Sequence, residues 1–232
     1  DPGIIELEYL CLPYLFDSLD NYSEFMATEL GQSYIQKGVD ERNTLILDTL
    51  PRSPRIISSN IAINKLADMK GMKIRSPEKD YYVETFKAFG ANPTPMSWAE
   101  VFTGLQQKTI DGQENPIEVI YNGGLAEVQQ YLMLTEHVYN PMMMLMNLDA
   151  FNSLSAENQE ILLTAAENAK QYQRSQAQMY EQQLLAELRE TDMEVVELSE
   201  TEKQAFQALL GDTYELVKNS MEHPEFMDAI LE

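Results

Sequence analysis

Residues 155–190 run without a glycine or a proline. At about 1.5 Å of rise per residue, a helix of that length is roughly 50 Å long, more than a single small domain is wide. Ser155 suits its N-cap, and apolar or small residues recur inside it at Ile161, Ala165, Ala169, Tyr172, Tyr180, Leu184 and Leu188. The other elements must be arranged around this rod, which is expected to span two domains.

Upstream, short strand-like and helix-like stretches alternate. Residues 44–47, 55–60 and 72–75 read as strands, the last closed by Pro77. Residues 80–89 place Tyr82, Val83, Phe86 and Phe89 at helical spacing, with Gly90 as the cap. A second helix starts at Ser97, which with Glu100 has the spacing of a capping box. The segment between, 92–96, reads as an extended link, and Pro116 as the first residue of another short helix. Residues 132–135 and 141–146 read as strands, the second apolar enough to be buried on both faces, with Met142, Met143, Met144 and Met146 in the core. After the long helix come a strand over 193–198, a capping box at Ser199 and Glu202, and a final helix over 205–221. The alternation predicts an α/β fold around a partly parallel sheet.

The charge balance removes whole classes of function. Sixteen Lys and Arg stand against 38 Asp and Glu, a net charge of −22, and such a field repels nucleic acids and anionic membranes. Cys11 is the single cysteine, so no intramolecular disulfide forms, and with only His137 and His223 a Cys/His metal centre is not expected. No apolar run is long enough to span a membrane, and Asp1-Pro2-Gly3 does not begin a signal peptide. Phosphate-binding and dinucleotide-binding glycine motifs, C-x-x-C and H-E-x-x-H are all missing. Neither histidine sits in a nucleophile or base motif, and Cys11 lies in an apolar run as a small buried hydrophobe. An enzyme would need a general base that the sequence does not offer, so no catalysis, cofactor or metal is expected.

Arg55 and Arg75 both sit on short strands running into turns. An arginine fork grips a carboxylate through two parallel hydrogen bonds, which an ammonium cannot do. The alternative is that each pairs with a surface acid.

Four blocks decide in favour of ligand binding through a resemblance. Residues 69–77 (MKGMKIRSP), 86–96 (FKAFGANPTPM), 105–107 (LQQ) and 111–116 (DGQENP) resemble, in order and spacing, the periplasmic solute-binding proteins of TRAP transporters, the DctP type. The likeness continues through Glu127-Val128-Gln129, Tyr131-Leu132 and the long helix. It implies a two-lobed, periplasmic-binding-protein-like fold that closes on an organic acid and delivers it to a sodium-driven membrane permease. By the same resemblance Arg75 clamps the ligand carboxylate, Asn115 faces the ligand, Arg55 lines the cleft and Trp98 packs over the ligand. It also implies a periplasmic or extracytoplasmic lipid-anchored protein, acting as a monomer, of which this chain is roughly the last three quarters. The signal peptide and the first strand and helix of one lobe are then missing. Residues 1–60 would be the remainder of the N-terminal lobe with a crossover strand, 61–150 mainly the second lobe, 151–190 the inter-lobe helix, and 191–232 a closing strand and helix.

Glu78, just after the Arg75-Ser76-Pro77 turn, would oppose a second ligand carboxylate by like-charge repulsion and accept bonds from hydroxyls. Trp98 offers a flat apolar face for a sugar ring. Together they favour a hexuronate or other sugar acid over a C4-dicarboxylate, with a C4-dicarboxylate or keto acid as the alternative ligand. An extracellular sensor domain of the same fold is the alternative from another class.

Overall fold

The structure, a computed structural model, describes residues 9–221 and 224–231; His223 and the start of the apolar run at residues 4–16 lie outside them. Two helices come first, α1 (Leu19–Met26) and α2 (Glu29–Arg42), with Ser18 and Thr28 as hydroxyl N-caps that accept from the Asn21 and Gly31 amides. β1 (Thr44–Leu50), β2 (Arg55–Ser59), β3 (Lys73–Ser76), α3 (Asp80–Ala88), β4 (Asn92–Pro95), α4 (Trp98–Gln106), β5 (Gly112–Pro116) and α5 (Ile117–Asn122) follow. Then come β6 (Tyr131–Val138), β7 (Met142–Asn147), α6 (Leu148–Asn152), α7 (Ala156–Arg189), β8 (Glu194–Glu197), α8 (Glu200–Gln207), α9 (Gly211–Ser220) and α10 (Glu225–Leu231).

Among the described residues the strands form two sheets. One has six strands in the order β4-β3-β5-β2-β6-β8, and the other is an antiparallel ribbon of β1 and β7. In the larger sheet β3 runs parallel to β4 and β5, and β6 parallel to β8, while β2 runs antiparallel to β5 and β6. Both faces of this sheet are covered. Ile57 of β2 and Met133 of β6 pack on one side with Ile74, Phe86 and Phe206, while Ile56 and Leu132 pack on the other with Leu105, Ile120 and Leu188. This is the α/β class that the alternation predicts, with helices on both sides of a mixed sheet.

The long helix is 34 residues, capped by Ser155. It leans on both sheets: Lys170 holds Asp48 of β1 at 3.0 Å, and Leu184 and Leu188 enter the six-stranded core. Its buried stripe is Ala166, Leu184 and Leu188, however, and Ile161, Tyr172 and Tyr180 are exposed.

Other expectations are corrected. Residues 92–95 are not a link but the edge strand β4, where prolines are tolerated because their missing N–H groups face away from the ladder. Ser97 does not accept a backbone amide; its Oγ donates to Glu100 Oε2 at 2.6 Å, so the capping box is not made. β7 is not buried on both faces: it pairs with β1 alone, Met142 and Leu145 are exposed, and Met143, Met144 and Met146 are half-buried rather than core. The last helix is broken into α8 and α9 around Leu209 and Leu210.

Candidate functional site

β5 is Gly-Gln-Glu-Asn-Pro and every residue of it is buried. Polar groups stay inside a protein only when they are hydrogen-bonded, and here β2 and β6 supply the partners. Gly112 permits the close approach: a Cβ there would lie 2.5 Å from Met72 Cε and 2.8 Å from the Ser58 carbonyl oxygen. Asn115 Nδ2 donates to Gln113 Oε1 at 2.6 Å, Gln113 Nε2 donates to Ser58 Oγ at 2.7 Å, and Ser58 Oγ donates to Gln129 Oε1.

Arg55, the first residue of β2, lies opposite Pro116 and next to Glu114. Its Nε donates to Glu114 Oε2 at 2.5 Å and its Nη2 to Glu114 Oε1 at 2.7 Å, with further bonds at 3.0 Å to the Glu114 carbonyl and to Asn115 Oδ1. Its guanidinium carbon also sits 5.7 Å over the Tyr82 ring. On the other side of Glu114, His137 Nε2 lies 3.3 Å from Oε2, and its Nδ1 is 2.8 Å from Thr135 Oγ1. Burial pushes the Glu114 carboxyl up, but the Arg55 charge and the hydrogen bonds from His137 and Arg55 override it and hold the pKa at about 2. Burial likewise works against the Arg55 cation, and the Glu114 charge more than reverses it, so Arg55 is raised.

The backbone of β6 delivers His137 to this point. Glu136 adopts φ 46° at the bulge where the β2–β6 register shifts. A left-handed residue inside a strand is strained, and Lys203 holds the Glu136 carboxylate there.

Arg75 is placed differently. It is 6% exposed on β3 and its Nε donates to the Met96 carbonyl at 2.9 Å, but its Nη nitrogens have no hydrogen bond or ion pair among the described residues. The guanidinium carbon lies 5.9 Å from the Trp98 ring. Burial and the Arg55 charge lower its pKa, against the attraction of Glu114 and Glu78. A shielded guanidinium with an unpaired edge favours an anion beside it.

Trp98 opens α4 and is 42% exposed. Gly123 makes room for its ring, since a Cβ there would lie 3.2 Å from Trp98 Cζ2. The structure therefore joins Arg55 to Asn115 and Arg75 to Trp98. Glu78 is exposed at the edge of this group and borders a separate cavity of about 310 Å³ shared with Tyr9, Tyr81 and Ser220. A cavity of about 720 Å³ lies elsewhere, between α1, the β1–β7 ribbon and α7. Sequence reasoning did not find Glu114, Gln113, Thr135 or His137; the available signal was one acid inside the otherwise uncharged run Gly112-Gln113-Glu114-Asn115-Pro116.

Among the described residues no His, Cys, Asp and Glu group is arranged to hold a metal ion, and no helix is long and apolar enough to cross a membrane. The sequence model of the bacterial extracellular solute-binding proteins, family 7 (DctP), matches residues 4–220. The chain belongs to this DctP family. The family is one of solute-binding proteins of transporters, not of enzymes. The 2,3-diketo-L-gulonate-binding periplasmic protein YiaO of Escherichia coli K12 is 36% identical over 207 residues, which are 89% of this chain and 62% of the relative. The chain thus spans about three fifths of the length of that curated relative. A TRAP periplasmic solute-binding protein from Sulfitobacter sp. NAS-14.1, solved with β-D-galacturonate, superimposes with a TM-score of 0.87 at 28% identity, over 98% of this DctP chain and 75% of that one. Another from Roseobacter denitrificans OCh 114, solved with L-galactonate, gives a TM-score of 0.82 at 31% identity, over 97% and 74%.

Proposed function

We propose that this chain captures a six-carbon sugar acid for a TRAP transporter, as part of an extracytoplasmic solute-binding subunit that hands its cargo to a membrane permease. The observation that carries the reading is Arg75: a shielded guanidinium, stacked beside Trp98, with both Nη nitrogens unpaired among the described residues. A single ligand carboxylate satisfies that edge bidentately, and the ring of the same ligand lies on the indole. Asn115 is fixed beside Arg55 by bonds at both ends of its amide, so this end of the site is rigid before a ligand arrives. Glu78, three residues after Arg75, accepts from hydroxyl groups and disfavours a second carboxylate. The ligands of these relatives, 2,3-diketo-L-gulonate, β-D-galacturonate and L-galactonate, are all six-carbon acids with one carboxylate. The six-stranded sheet forms one lobe and the β1–β7 ribbon belongs to the other, with the ligand between.

Calorimetric titration with D-galacturonate, D-glucuronate, L-gulonate, succinate and an amino acid tests this. Binding of one or more of the sugar acids that is lost in Arg75→Ala, with the fold intact by circular dichroism, is the expected result. Equal binding by Arg75→Ala overturns the clamp, and binding of succinate alone overturns the sugar-acid class.

A further inference from the structure

Among the described residues three crossings connect the two sheets: residues 51–54 between β1 and β2, residues 139–141 between β6 and β7, and the helix α7. Arg52 ties the first to the second. Its Nε donates to the Asn140 carbonyl at 3.1 Å and its Nη2 to Asn140 Oδ1 at 3.2 Å, so one planar fork holds one residue at two points. The third crossing joins them where Gln173 Nε2 of α7 donates to the Pro51 carbonyl at 3.2 Å. Chain crossings between two bodies are where a hinge must bend.

The same junction contains an unanswered acid. Glu118 is in the first turn of α5, on the six-stranded side, and its Oε2 is buried with no hydrogen-bond partner among the described residues. Arg55 pairs with Pro116 across the antiparallel β2–β5 ladder, so residues 51–54 and the first turn of α5 leave it side by side, and the Glu118 charge acts on Arg52. Glu181 of α7 adds to the negative charge, with its carboxyl pushed up by burial and, against a bond from Ser53, by Glu136 and Glu118. A buried carboxylate oxygen without a donor is unfavourable, and a cation that reaches it is stabilised there. The cavity of about 720 Å³ borders both Arg52 and Glu181.

We propose that Arg52 is a two-seat hinge latch, held on Asn140 in this conformation and on Glu118 in the alternative one, so that bending between the sheets exchanges one seat for the other. None of the three residues belongs to the ligand clamp. The latch sets the balance between two conformations, and a ligand that prefers one of them shifts that balance by its differential affinity. Because the two seats compete for one guanidinium, removing either one favours the other.

The test is an inter-sheet distance measurement by double electron–electron resonance without ligand. Spin labels are placed on Ser33→Cys of α2 and Lys87→Cys of α3, both exposed positions, in a Cys11→Ser background. Cys11 Sγ accepts from Asn140 Nδ2 at 3.5 Å, and Cys11→Ser keeps an acceptor there. Asn140→Ala and Glu118→Gln are expected to move the distance distribution in opposite directions, and Arg52→Met to broaden it. A shift in the same direction for both, or no shift in either, overturns the latch, because a merely structural tie has no reason to give opposite signs. Titration of the same variants with D-galacturonate, read by the fluorescence of Trp98, the chain's one tryptophan, is expected to show affinities changed about threefold to tenfold, also with opposite signs. If the unmodified protein does not bind D-galacturonate, the ligand reading fails for that acid while the distances still decide the latch.

Discussion

Arg55 and Glu114 meet across the β2–β5 ladder as a two-pronged ion pair, 2.5 and 2.7 Å long, with both side chains withdrawn from solvent. A pair this deep adds little net stability over an apolar isostere, but breaking it strands a charge. Glu114→Ala leaves the Arg55 guanidinium buried with the residue-114 carbonyl and Asn115 as its remaining hydrogen-bond partners. The expected loss is about 3–5 kcal/mol of unfolding free energy, read from urea midpoints at constant slope. Glu114→Gln, which keeps the shape and one acceptor, should lose less. Equal stability of Glu114→Ala and the parent would mean that the pair does not hold the sheet junction.

The same pair sets the acid limb of stability. Glu114 in the folded protein titrates at about 2, below its ordinary 4.5. A depressed carboxylate contributes stability that is complete above the unfolded value and is lost as pH falls through the folded one. Melting temperature should therefore drop steeply between pH 4.5 and about 2. The check is the difference from Glu114→Gln, which should show a shallower fall over that window. Parallel acid limbs in the two proteins would remove Glu114 as the cause.

The three clamp residues are expected to separate by what each contributes to a sugar acid. Trp98→Ala should weaken D-galacturonate binding about fivefold to thirtyfold, the range of an aromatic contact of about 1–2 kcal/mol, while Trp98→Phe keeps most of it. Arg75→Lys retains the charge but loses the fork, and should weaken it at least tenfold. Glu78 is exposed, so its repulsion is moderate: Glu78→Gln should improve binding of galactarate, which has a carboxylate at each end, about threefold relative to galacturonate. An unchanged ratio would take Glu78 out of ligand selection.

The fold was legible where chemistry and burial go together. The uninterrupted run became α7 almost residue for residue, and Ile56-Ile57 and Leu132-Met133 announced strands whose two faces are both covered. It was illegible where tertiary pairing overrides local pattern. Gly112-Gln113-Glu114-Asn115-Pro116 carries no strand pattern because nothing local reveals that Arg55, Ser58 and His137 satisfy its side chains. Met142-Met143-Met144 reads as core because its apolarity does not reveal that β7 finds only β1 as a neighbour. Arg75, Asn115, Arg55 and Trp98 were proposed for the site through the family resemblance. Glu114 and His137, 23 residues apart in sequence, meet only through the sheet.

Charge makes the last prediction. Thirty-eight acidic residues face sixteen basic ones, and several of the bases are already used in exposed pairs such as Arg174 with Asp20 and Arg189 with Glu197. Exposed pairs contribute about 0–1 kcal/mol each, whereas the unpaired acids repel one another throughout the compact state. At about 0.01 M salt the screening length is roughly 30 Å and repulsion reaches across the whole molecule; at about 1 M it is roughly 3 Å and only direct contacts persist. Raising sodium chloride between these limits at pH 7 should therefore raise the melting temperature by several degrees, since about 1 kcal/mol corresponds to roughly 2–4 °C for a protein of this size. The buried Arg55–Glu114 pair is shielded from the salt, so Glu114→Gln should show the same salt slope. A melting temperature that falls with salt would mean that attractive surface pairs outweigh the repulsion, against the count of charges in the sequence.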